Sequence, residues 1–156
     1  MYQINIYNNQ KIVPVRINRA QLKRVIKYIL KQERPVCPAR GAGRHPAGVF
    51  NFVFVDNREI RRINRQYLGR NNATDVIAFP LPDRPGMPTD NIRGEVVISA
   101  EEALRQSRQR GIPFNKEIAL YCIHGLLHLV GYDDLTKSQR IKMEQKQLDY
   151  LGMVKC

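Results

Sequence analysis

GEVVISAEEALRQSRQRGIPFNKEIALYCIHGLLHLVGYDD, residues 94–134, decides the fold. Its first six residues, GEVVIS (94–99), read as a short strand. Ser99 then stands where a helix N-cap belongs, with Glu101 and Glu102 in the first turn, so a helix over 100–110 is expected. Asn115 is expected to cap an apolar helix over 116–130. Gly131-Tyr132-Asp133-Asp134 breaks that helix, and a last helix follows over about 136–150. A strand that feeds helices in this way calls for a sheet with at least one helix packed on its face.

The upstream sequence supplies the rest of the sheet. QINIYN (3–8) and VPVRI (13–17) alternate apolar and polar residues and are expected to be strands. Asn18 is the expected cap of a helix over 20–32, with Leu22, Val25, Ile26, Ile29 and Leu30 on one stripe. VFNFVFV (49–55) is a strong strand. Asp56 or Asn57 is placed to cap the next helix, whose apolar face is Ile60, Ile63, Tyr67 and Leu68. ATDVIAFPL (73–81) is a strand ended by prolines. Residues 34–48 and 82–93, rich in Pro and Gly, read as loops, the first of them mobile. Strands fill the first two-thirds and helices the end, which predicts an α/β domain of α+β character over residues 1–156.

Composition narrows the function. The 156 residues are 43% hydrophobic and 26% charged, a globular balance that needs no disulfide support. No apolar run is long enough to span a membrane, and residues 1–15 lack the layout of a secretory leader. Cys37, Cys122 and Cys156 are odd in number and include no CxxC pair. They suggest neither a disulfide framework nor a thiolate zinc site, and a reducing compartment is expected. Lys and Arg number 26 against 14 acids, a net charge of +12. Residues 1–32 carry no acid, and residues 58–70 hold Arg58, Arg61, Arg62, Arg65 and Arg70 against Glu59 alone. A field of this sign draws polyanions, and nucleic acid is the expected partner. The aromatic residues are not interleaved with the basic ones as a stacking platform requires.

Of three histidines, His45 falls in a loop, while His124 and His128 stand four apart in a predicted helix. That spacing offers two imidazoles from one face to one metal ion. Past the Gly131 bend, Asp133 and Asp134 come within reach, which gives H-x3-H-x5-D with Asp134 as a carboxylate third ligand. Three protein ligands and an open water position make a catalytic rather than a structural site. Gly125 follows His124, so the helix does not bring the glutamate of an HExxH peptidase.

HGLLHLVGYDD (124–134) resembles the signature of the YbeY family of metal-dependent endoribonucleases, H-G-x-x-H-L-x-G-Y-D-H. TDVIAFP (74–80) resembles the family's T-D-V-L-S-F-P block, GEVVIS (94–99) its G-D-I-x-I-S strand, and INRQYLGRNNATDV (63–76) the stretch leading into the second block. The likeness runs over roughly 49–151, and the first 48 residues match in layout. The resemblance implies a mixed sheet of about four strands with the metal-bearing helix packed on it. It also implies a cytoplasmic, zinc-dependent, single-strand-specific endoribonuclease acting on ribosomal RNA and the small ribosomal subunit, in rRNA maturation and ribosome quality control. Carried over by position, His124 and His128 are metal ligands and position 134 holds the third.

Two positions depart from the family pattern. Asp134 stands where the family has His, which makes a bound water less acidic and favours harder ions such as Mn²⁺. Leu68 stands where the family has an arginine that would stabilise charge on a phosphodiester. Arg70 and Arg65 are near enough in sequence to substitute. Arg62, Arg65 and Arg70 are thus the expected RNA contacts, with Arg70 and Thr74 as the expected catalytic residues. Asp75 could line the site beside Thr74, and Glu95 could accept a proton or support a histidine. The alternatives are a ribosome-binding assembly factor with a structural or lost metal and a metallopeptidase-like hydrolase. A two-histidine, one-carboxylate Fe(II) oxygenase shares the ligand types.

Overall fold

The computed structural model describes residues 1–33, 47–81 and 92–155. The expectations on 34–46 and 82–91, with Cys37, His45 and Cys156, lie outside the described residues. The elements are β1 (Tyr2–Asn8), α1 (Arg19–Glu33), β2 (Gly48–Val55), α2 (Asn57–Leu68), β3 (Val76–Pro80), β4 (Ile92–Ser99), α3 (Ala100–Arg110), α4 (Phe114–Leu129) and α5 (Lys137–Leu151). The four strands form one mixed sheet in the order β1-β2-β4-β3. β1, β2 and β4 are parallel, and β3 runs antiparallel along the edge of β4.

Period-two alternation divides the strand side chains between two covers. Phe50, Phe52, Phe54, Val96 and Ile98 face α1 and α4 in the main core. Val55, Val97 and Ile77 face the other way, onto Ile60 of α2. Helices therefore cover both faces, which is why VFNFVFV is apolar almost throughout: β2 is central and buried on both sides. The α1 stripe is the predicted one, with Leu22, Val25, Ile26, Ile29 and Leu30 all buried. Asn18 caps that helix by accepting from Gln21 N–H at 3.0 Å. Asp56 and Ser99 cap α2 and α3 through Glu59 N–H (2.8 Å) and Glu102 N–H (3.1 Å).

Three local expectations are corrected. Residues 13–17 are not a strand. Pro14 has no N–H to give, and the side-chain amide of Gln10 takes both polar groups of Val13, donating to its carbonyl and accepting from its N–H at 2.8 Å each. Val13 is still buried, so the alternation is real while its hydrogen-bond partner is a side chain rather than a strand. Tyr67 and Leu68 are exposed (62% and 51%), and Asn64 takes the buried place beside Ile60. The helix stops at Gly69, and Tyr67 keeps an edge-on contact with Phe79, centroids 5.5 Å apart. Asn115 does not cap α4. Pro113 does so through its carbonyl, which accepts from Lys116 and Glu117 N–H at 3.0 and 3.2 Å.

Gly125 sets how closely α4 lies on the sheet. A Cβ there would come 2.4 Å from Val96 Cγ1 and 3.2 Å from Val76 Cγ2, so only glycine admits the β3–β4 surface at this distance. Cys122, 0% exposed, fills the same helix as packing, and burial pushes its thiol well above the usual range.

Candidate metal centre

His124 and His128 leave α4 one turn apart on its α5 side, with Nε2 atoms 3.1 Å from each other. The chain then folds back over the last turn of the helix. Gly131 takes φ +103°, a value side chains disfavour, and Tyr132 N–H bonds back to the Leu127 carbonyl at 3.0 Å. This turn brings Asp134 Oδ2 to 3.9 Å from both Nε2 atoms. Asp133 is occupied locally, its Oδ1 accepting from Asp134 N–H at 2.8 Å. The capping box of Thr136 and Gln139 starts α5 directly afterwards, and Arg140 donates to the Asp134 and Leu135 carbonyls.

Both imidazole rings also have partners outside the cluster. His124 Nδ1 makes a short hydrogen bond to Gln147 Oε1, an oxygen that can only accept. His128 makes a hydrogen bond to the backbone of Tyr132. With its Nδ1 donating to Gln147 Oε1, His124 turns its Nε2 lone pair toward His128 Nε2. Two imidazole nitrogens and a carboxylate oxygen converge on one point, a donor set that suits a shared cation. Burial pulls His128 below the usual imidazole range, and His124 adds to this; Asp134, the Tyr132 backbone and Asp133 oppose it.

The spacing fits a transition metal. A triangle with one side of 3.1 Å and two of 3.9 Å has its centre about 2.1 Å from every corner, inside the zinc–nitrogen and zinc–oxygen range of about 2.0–2.2 Å. The three side chains are 27, 29 and 42% exposed, so the centre opens to solvent on one side.

The other predicted site residues are distributed around the sheet. Thr74 donates to Asp75 Oδ1 at 3.2 Å, and Asp75 also accepts from Val76 N–H. This pair enters β3 beside α4, near enough for Asp75 to act with burial in raising the Tyr121 phenol, one turn before His124. Arg70 sits just past the end of α2, its N–H bonded to the Asn64 carbonyl at 3.3 Å. Arg62 and Arg65 lie on α2, across the sheet from the histidines. Arg62 pairs with Glu59 at 2.6 Å and donates to Gln66. Together with Arg58 and Arg61 they line an open cleft of about 1040 Å³. Glu95 lines that same cleft, so it does not support the histidines. Gln147 is the residue the sequence reading missed, since nothing in the pattern of a polar helix face says which partner a glutamine meets.

Comparison with known proteins adds a lineage to this geometry. The sequence profile of a family described as Endoribonuclease YbeY matches residues 4–155, well beyond the span of the recognised motifs. An Endoribonuclease YbeY of Desulforamulus reducens is 35% identical over 156 residues, covering 95% of this chain and 96% of its own. One from Alkaliphilus metalliredigens is 38% identical over 136 residues, covering 83 and 88%. A Thermotoga maritima protein solved in solution superposes with a TM-score of 0.61 at 26% identity, covering 97% of this chain and 88% of that one.

Proposed function

The chain belongs to the YbeY endoribonuclease family, and on that footing we propose that it hydrolyses single-stranded RNA at a divalent ion held by His124, His128 and Asp134. The observation that carries this reading is the convergence of two imidazole nitrogens and a carboxylate oxygen on one point about 2.1 Å from each. Zinc is the expected ion, one per chain, with manganese a closer competitor than at an all-histidine site because Asp134 is a hard oxygen donor. The expected substrate is ribosomal RNA of the small subunit, cut during its maturation and in ribosome quality control. The expected setting is the cytoplasm; among the described residues no helix is long and apolar enough to cross a membrane.

A bound ion supplies Lewis-acid polarisation of a phosphoryl oxygen and a water of lowered pKa. The chain's own groups do the rest. Gln147 and the Tyr132 backbone orient the two rings, and the Nε2 atoms face each other as the ligand atoms. Asp134 would contribute the anionic donor to the ion. Arg70 contacts the phosphate in place of the arginine that Leu68 replaces, and Thr74, beside α4, orients the strand near the reacting bond. Arg62 and Arg65 hold RNA that passes round the β3 edge onto the other face of the sheet.

The test is cleavage of a single-stranded ribosomal RNA fragment beside its duplex by zinc-loaded protein. The single strand is expected to be cut, the duplex spared, and cleavage to stop with a chelator. Leu68→Arg is expected to raise the rate. Tight binding of the small subunit with no cleavage under zinc or manganese would favour the assembly-factor reading instead.

A further inference from the structure

We propose that Glu33 is a positioning residue of the metal centre: its carboxylate ties the Tyr132 turn to α5 and so holds the three ligands in converging orientation. The inference rests on the reading of that centre as a metal site. Glu33 ends α1, 99 residues before Tyr132 in the chain, yet its side chain is only 12% exposed. Oε2 accepts from the Tyr132 hydroxyl at 2.9 Å. Oε1 accepts from Lys146 Nζ at 2.9 Å and, in a short contact, from the Tyr150 hydroxyl. Burial works against the charge on Glu33, but hydrogen bonds from Tyr150, Lys146 and Tyr132 outweigh it and hold the carboxyl below its usual range.

Two of these donors, Tyr132 and Lys146, lead to a ligand. Tyr132 gives its backbone to the His128 ring and precedes Asp134 by two residues. Lys146 adjoins Gln147, which holds the His124 ring. The Lys142 and Lys146 ammonium groups stand 5.6 and 5.9 Å from the centre of the Tyr132 ring and confine it further. One ionised carboxylate thus fixes both the turn and the helix that orient the imidazoles. Groups that hydrogen-bond a metal ligand commonly change metal affinity about tenfold or more when removed, and Glu33 holds the turn and the helix that carry two of them.

The competing account is that Glu33 merely fastens α1 to α5. Zinc affinity by chelator competition and the d–d absorption of cobalt-substituted protein separate the two, measured on Glu33→Gln and Tyr132→Phe. Val25→Ala thins the core under α1 without touching the tether and shows what lost stability does by itself. Zinc binding is expected to weaken about tenfold in both tether variants, with a shifted cobalt band, while Val25→Ala melts lower at wild-type affinity. Lower melting in Glu33→Gln and Tyr132→Phe with wild-type zinc affinity and cobalt spectrum would overturn the positioning role alone. A wild-type protein that takes up no zinc would overturn the metal reading and this inference with it.

Discussion

Gly125→Ala tests the packing that places the histidines. The added Cβ would lie 2.4 Å from Val96 Cγ1 and 3.2 Å from Val76 Cγ2. Val96 is 0% exposed and central in the sheet, so it has nowhere to retreat. Either α4 lifts from β4 or the valines leave their rotamers, and overpacking of this kind costs about 1–3 kcal/mol. At about 2–4 °C per kcal/mol for a chain of this size, the melting temperature should fall by about 2–12 °C. Val96→Ala opens a cavity by itself, but in the double variant the new methyl occupies that space. The pair should therefore be less destabilised than the two single losses together, by about 1 kcal/mol or more. Thermal melts at fixed metal concentration read all four proteins. Strictly additive losses, or a Gly125→Ala protein as stable as wild type, would refute the claim that this glycine sets the distance of α4 from the sheet.

Other outcomes follow from the centre and its supports. Asp134→His should tighten zinc retention against a chelator by replacing a carboxylate with a third imidazole; no gain would mean that Asp134 is not the third ligand. Gln147→Leu removes the acceptor that fixes the His124 tautomer and should weaken zinc binding by about 10–100-fold, with unchanged affinity as the contrary result in the same competition. Glu33 has a folded pKa below its unfolded value of about 4.3. Its contribution is therefore complete above that value and is lost as pH falls through the lower folded one. The stability advantage of wild type over Glu33→Gln in urea titrations should shrink as pH drops from about 5 to about 3; a constant gap would contradict this.

Much of the fold is legible because its signals are local. The α1 stripe, the caps at Asn18, Asp56 and Ser99, the alternation within β1 and the apolar runs of β2 and β4 all follow from residues a few positions apart. Residues 13–17 mislead because alternation reports burial, not the identity of the hydrogen-bond partner, and the Gln10 side chain takes the place of a strand. Tyr67 and Leu68 mislead because helical periodicity does not say where the covering element ends. The same distinction divides the site. His124, His128 and Asp134 lie within eleven residues joined by one glycine turn, so their convergence can be read from spacing. Gln147 meets His124 from 23 residues away and Glu33 meets Tyr132 from 99, and only the tertiary fold brings these pairs together.

Metal content tests the central claim most directly. Purified protein exposed to zinc and then freed of loosely held ion should carry about one zinc per chain by elemental analysis. His124→Ala/His128→Ala, folded by circular dichroism, should carry none and should leave single-stranded ribosomal RNA uncut. Equal zinc in the two proteins would contradict the assignment of the site.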